Sequence, residues 1–299
     1  MKPNEASEPT GVVAPLAVVA LDAFVKGALY LGVVLSVGAG AFRHVVAPGL
    51  AADARRPLRA AALTGGVLLV VFSAANVLLV LRGTLGYLEP GIVIEYARAS
   101  LHGRATQARS VLALILVATA FLPRRVWVGA LWALATAGLL YSIAAVSHAA
   151  GMPGRLPVLA DWLHLAAAAT WSGSVAAVAF LPIWSEPSRS GLERAMRRVS
   201  RVGLAGVTVS LVTGVYAGQL HVWEASSLLS TRYGWTLLAK VGLVAAIVAI
   251  AALNRWRLLP ALTRDGPTRS LRRALRLEAV LLLVVLGATG LLTTSPVPH

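Results

Sequence analysis

Residues 147–173 place two histidines, His148 and His164, a methionine, Met152, and an aspartate, Asp161, around one short connector between two very apolar segments. Ionisable side chains at the rim of a hydrocarbon core are costly to hold there, so they mark functional positions. Imidazole, thioether and carboxylate are also the donors that bind a soft or borderline metal ion. Asp161 and His164 are spaced i, i+3 and share a helix face. The carboxylate either ligates directly or orients the imidazole by accepting its second N–H. Trp171, seven residues beyond His164, falls on the same face. A purely structural reading stands beside this one, with Asp161 as the N-cap of a helix and Trp162 as its interfacial anchor.

The elements that must position these groups are apolar helices. Hydrophobic residues make up 58% of the 299 and charged residues 13%, against about a quarter charged in a soluble domain. Mean hydropathy is +0.76. These values describe an all-α, polytopic membrane helix bundle. Runs long enough to span a bilayer, about 17 to 25 residues, fall at 16–42, 60–81, 110–122, 126–147, 159–182, 202–220, 235–253 and 275–293, eight in all. The third is short. The leader MKPNEASEPT carries two glutamates and precedes a run longer than a signal peptide's apolar region, so the first span reads as a retained helix. Residues 1–15 form a short polar segment, 16–294 one membrane domain and 295–299 a short tail. With no cysteine in the chain, disulfides, thiolate metal sites and thiol catalysis are excluded.

The net charge of +15 is a topology signal. With the N-terminus outside, eighteen of the 27 lysines and arginines fall in inner loops, seven fall outside, and Lys26 and Lys240 lie within spans. Cytoplasmic loops collect lysine and arginine, so both termini lie outside. The basic loops serve orientation and contact with anionic lipid, not nucleic acid. Residues 82–109 are expected to hold an interfacial helix after Pro90, 185–201 a basic helical turn, and 254–273, with Pro260, Gly266 and Pro267, an irregular connector. Gly214 and Gly218 have the GxxxG spacing that lets another helix approach closely.

In this topology His102, His148, His164, His221 and His299 lie toward the outer face, and of the six histidines only His44 lies inside. His148 ends the fourth span, and His164 lies about five residues into the fifth, roughly 7 Å below its start. His221 is a further candidate ligand, or an exposed loop histidine. Asp22 and Lys26, spaced i, i+4, neutralise each other. Lys240 lies about five residues into the seventh span, so Asp22, Asp161, His164 and Lys240 share one depth and are expected to line one polar cavity. For the lysines the alternative is snorkelling to the interface. Glu278, near the inner end of the eighth span, is expected to pair with a loop arginine, and Asn254 to cap the seventh.

The residues that carry a family resemblance run in order through the second half. They are Ser147-His148-Ala149, Asp161-x-x-His164 with Trp171-x-Gly173, the basic stretch 198–201, Thr213-Gly214, Tyr233-Gly234 with Lys240, Asn254, Glu278 and the ending 291–296. The first span (LYLGVVLSVGAGAF) adds to them. On these the chain resembles the copper resistance D family (CopD), bacterial inner-membrane proteins of eight spans. The resemblance implies copper homeostasis or resistance: copper bound at the periplasmic face and moved across the inner membrane. It also implies a small CopC-type copper donor, expected here as a separate protein. The only methionines are Met1, Met152 and Met196, so histidine carries most of any coordination. Imidazole and carboxylate accept Cu(II), while Met152 favours Cu(I).

Two rival readings remain open at this point. Two histidines from adjacent helices could hold a b-type haem, or the site could deliver copper to a partner metalloenzyme. The sequence has no GxxxxGK[ST] stretch and no nucleophile–base arrangement, so it does not read as an enzyme.

Overall fold

The computed structural model describes residues 16–50, 54–184, 189–221, 227–265 and 269–293. In hydrocarbon every backbone N–H and C=O must be satisfied within the chain, which makes helix the outcome for such apolar runs. In chain order the helices are α1 (Leu16–Ala41), α2 (Arg55–Leu85), α3 (Pro90–Ala99), α4 (Leu101–Phe121), α5 (Val126–Ala144), α6 (Leu156–Phe180), α7 (Arg189–His221), α8 (Ser227–Ser230), α9 (Arg232–Leu253), α10 (Leu259–Asp265) and α11 (Arg269–Leu292). Among the described residues there is no strand. Seven helices among the described residues are long and apolar enough to cross a membrane, and α4, at the place of the third expected span, is not one of them. Their outward surfaces carry exposed large apolar residues such as Leu134, Leu211, Val212 and Val241. The all-α polytopic bundle read from composition stands.

The third span is where hydropathy misplaces a boundary. Instead of starting at residue 110, α4 starts at Leu101, where Ser100 Oγ accepts the Gly103 N–H at 2.9 Å. Its 21 residues give about 31 Å of helix, packed between α2 and α5. Arg109, counted above in an outer loop, therefore lies inside the helix and is 2% exposed. Its guanidinium donates to Ser142 Oγ (3.3 Å), to the Ser142 carbonyl (3.0 Å) and to Ser73 Oγ (3.3 Å). Serines on two neighbouring helices thus solvate a charge that a one-dimensional reading places in water.

Other connections also differ from expectation. Residues 254–265 are helical rather than an irregular connector: a π-helical turn, Asn254–Leu258, continues α9 and leads into α10, while Gly266 and Pro267 lie outside the described residues. Pro260, which has no N–H to give, follows directly on the π-helical turn, where the regular α ladder is already interrupted. The basic stretch before the sixth span is the first part of one 33-residue helix, α7. A helix does form after Pro90.

Helix α1 is the centre of the bundle, packed on α2, α4, α6 and α11. Close approach is bought by glycines: a Cβ on Gly38 would lie 2.5 Å from Gly173 Cα of α6, and one on Gly32 would lie 2.9 Å from the Gly65 carbonyl of α2. The Gly214/Gly218 spacing does not serve this purpose. A Cβ on Gly218 would meet nothing within 4 Å, and one on Gly214 would meet only His164 Cε1, at 3.8 Å. At the arginine-rich end, Arg43 donates to the carbonyls of Thr119 and Leu122, and Arg59 to those of Ala120 (3.4 Å) and Phe121 (3.3 Å). Two cations thereby satisfy the orphan carbonyls at the negative end of α4.

Candidate functional site

The connector between α5 and α6 is built by one serine. Ser147 Oγ accepts the Ala149 N–H at 3.2 Å, which starts a 3-10 turn over His148–Gly151 that Met152 ends. His148 is exposed, and its Nε2 lies 3.3 Å from the Thr293 carbonyl at the end of α11. A carbonyl only accepts, so Nε2 carries a proton in this contact. The same carbonyl accepts a hydrogen bond from Lys26 Nζ at 3.1 Å, and Lys26 pairs with Asp22 at 2.9 Å. Lys26 therefore lies where the terminal carbonyls of α11 attract positive charge, with Asp22 paired to it and His148 on the same carbonyl. The Asp22 and Lys26 side chains are 28% and 25% exposed, and such pairs contribute little. Asp22→Asn is expected to cost under about 1 kcal/mol, seen as a small change in the thermal unfolding midpoint in detergent. A drop of many degrees would make the pair a closing element of the bundle.

His164 sits deeper than expected, because α6 begins at Leu156 with Arg155 at its N-cap. It lies eight residues in, about 12 Å along the axis. Asp161 is likewise inside the helix, so the capping role weighed for it does not apply. His164 Nδ1 lies 2.9 Å from Thr213 Oγ1 on α7. The Thr213 hydroxyl donates its single proton to the Val209 carbonyl, 2.7 Å away, so it accepts from His164 Nδ1–H. The Ser210 carbonyl also lies within hydrogen-bond reach of the ring, so α7 holds His164 through two of its residues. Gly214 leaves the ring its space.

Charges gather around this histidine. Lys240 of α9 lies within electrostatic reach of both His164 and Asp161. Asp161 in turn lies within reach of Tyr30 on α1, which also senses Arg109. Of the predicted residues, Asp161, His164 and Lys240 thus form one neighbourhood. Asp22 stands instead with Lys26, His148 and Thr293, and Met152 follows His148 in its turn. His221 closes α7, and its side chain lies outside the described residues, as does His299. Among the described residues no three His, Asp or Glu side chains converge to hold a metal ion.

Trp171 lies nearer the arginine-rich end, buried against α7, where a Cβ on Gly206 would approach its Cβ to 2.9 Å. Beside it is a pair to which the sequence reading gave other partners. Among the described residues Glu278 makes no ion pair with a loop arginine, and Asn254 does more than cap α9. Asn254 Nδ2 donates to Glu278 Oε2 at 3.0 Å, and the two residues are 6% and 3% exposed. The Trp171 indole is within reach of the same carboxyl. The available signal was a carboxylate followed by a long apolar run on α11; its partner, 24 residues upstream, has no local signature.

Comparison with known proteins matches two consecutive stretches. Residues 17–158 match the family described as Copper resistance protein D-like, N-terminal domain, and residues 193–292 match Copper resistance protein D. Asp161, His164 and Trp171 fall between these stretches. The chain is 31% identical over 164 residues to Copper transport protein CutJ of Bacillus subtilis (strain 168), which covers 54% of this chain and 29% of that protein. It is 30% identical over 150 residues to Copper resistance protein D of Pseudomonas syringae pv. tomato, covering 46% of this chain and 48% of that protein. The chain therefore spans less than half the length of either relative. No solved structure matches.

Proposed function

Since this chain belongs to the copper resistance D family, we propose that it binds copper ions at the His148 end of the bundle and carries them across the bacterial inner membrane. In this reading the His148 end faces the periplasm, both termini lie on that side, and the arginine-rich end faces the cytoplasm. The burial of Arg109 supports this orientation, because it removes a cation from the outer loops and sharpens the charge asymmetry. The observation that carries the reading is the hydrogen bond between His164 and Thr213. It spends a ring nitrogen on the protein and orients the imidazole, as the partners of metal-binding imidazoles do.

His148 is held in the same way by the Thr293 carbonyl and is exposed enough to receive an ion from a CopC-like donor. Met152 is the softer ligand beside it, Asp161 and Lys240 set the charge around His164, and His221 is a further donor from α7. The family names point to transport and resistance rather than to catalysis, and nothing in the arrangement requires a chemical step.

The test is elemental mass spectrometry of the protein purified in mild detergent and loaded with copper. The parent is expected to retain copper, and His148→Ala/His164→Ala to lose most of it while keeping its unfolding midpoint. Equal copper in parent and variant overturns the histidine assignment. Iron with a Soret band in place of copper overturns the copper reading in favour of haem.

A further inference from the structure

Below the histidines lies a second polar position. His164 and Trp171 share a face of α6, and Trp171 is about two turns, or roughly 10 Å, further along. The Trp171 indole adjoins Glu278 of α11, and Glu278 adjoins Asn254 at the junction of α9 with its π-helical turn. Ile247 of α9 and Leu275, Ala279 and Leu282 of α11 belong with Trp171 to one buried apolar cluster.

Three observations at this position are unexplained by packing. Glu278 is 3% exposed within a membrane helix and makes no ion pair among the described residues. Asn254 spends its Nδ2 on Glu278, but its Oδ1 is buried with no hydrogen-bond partner, a condition native proteins avoid unless something else satisfies the atom. The backbone leaves α geometry at this very residue: the Leu259 N–H bonds back five residues to the Asn254 carbonyl. Single π turns inside helices concentrate at functional positions. The Asn254–Glu278 bond places a carboxyl group and an amide with an unsatisfied oxygen side by side at a buried point.

We infer that Glu278 and Asn254 form a second cation station, separate from the histidines, that takes the ion in transit on oxygen donors. Oxygen donors suit divalent rather than monovalent copper, so the station assigns Cu(II) as the transported form. The inference rests on the copper reading above, and it supplies the intramembrane stop that histidine positions near one end leave open.

The test is Cu(II) titration of the purified full chain followed by electron paramagnetic resonance, with copper accumulation measured in cells. The parent is expected to take two equivalents, one with nitrogen hyperfine structure and one with an oxygen-only signature. Glu278→Gln keeps the shape and an oxygen that accepts from Asn254, so a merely structural role survives it. The expected result is loss of the oxygen-type signal, retention of the nitrogen-type signal, and accumulation reduced at least about tenfold, the scale of losses seen even for supporting residues at metal sites. Glu278→Asp, which keeps the charge, should retain a weakened second equivalent. A Glu278→Gln protein that binds both equivalents, or accumulates copper as the parent does, overturns the station and leaves the histidine site standing. A parent with the oxygen-type signal alone overturns the histidine site and supports the station; a parent with neither overturns both.

Discussion

Gly173→Leu is expected to prevent the bundle from closing. A Cβ at this position would lie 2.4 Å from Gly38 Cα and 2.8 Å from the Val34 carbonyl, both backbone atoms of α1. A flexible side chain could swing aside, but backbone cannot move unless α1 moves as a whole, and α1 is the helix on which α2, α4, α6 and α11 pack. Apolar lipid gives little hydrophobic drive for helix association, so the energy comes from close packing. Overfilling a packed core costs about 1–3 kcal/mol, and backbone-to-backbone overlap puts this substitution at or beyond the upper end. In detergent, Gly173→Ala should already lower the unfolding midpoint, and Gly173→Leu should elute as aggregate on size exclusion. A monodisperse Gly173→Leu protein with the parental midpoint would show that α1 and α6 do not meet there.

The second large effect concerns Arg109. Its guanidinium gives three hydrogen bonds to α2 and α5 from within α4. Arg109→Glu removes every donor and places an anion against the Ser142 carbonyl and the Ser73 hydroxyl. An uncompensated buried charge costs about 3–5 kcal/mol, a large part of a typical total stability of about 5–15 kcal/mol. The variant should fail to accumulate in membranes or unfold far below the parent, whereas Arg109→Lys, which keeps one cation and part of the bonding, should fall between. Thermal unfolding of the three proteins in one detergent decides it. If Arg109→Glu unfolds at the parental temperature, the side chain reaches water instead of the serines.

Arg109 also illustrates where reading the sequence stops. A hydropathy window meeting Arg104, Gln107 and Arg109 in succession treats them as loop, because nothing local reveals that Ser73 and Ser142 wait 36 and 33 residues away. The glycines behave similarly. The Gly214/Gly218 spacing is conspicuous in the sequence and supports no close helix approach, whereas Gly38 and Gly173 meet without any spacing to link them. Glu278 was legible as an intramembrane carboxylate, but the identity of its partner was not.

The sequence by itself determined the class of molecule, the succession of long apolar helices and the family, because hydrophobicity and length act locally and in chain order. It also singled out His148, Asp161 and His164 as candidate site residues, since ionisable side chains are rare in such a background. Only the tertiary structure decided which groups face one another. It set His164 on Thr213, tied His148 to the end of α11, buried Arg109 among serines and joined Asn254 to Glu278. These pairings depend on which helices pack side by side and at what rotation, and in lipid that is set by small-residue contacts and buried polar bonds between distant segments, not by the local pattern of either partner.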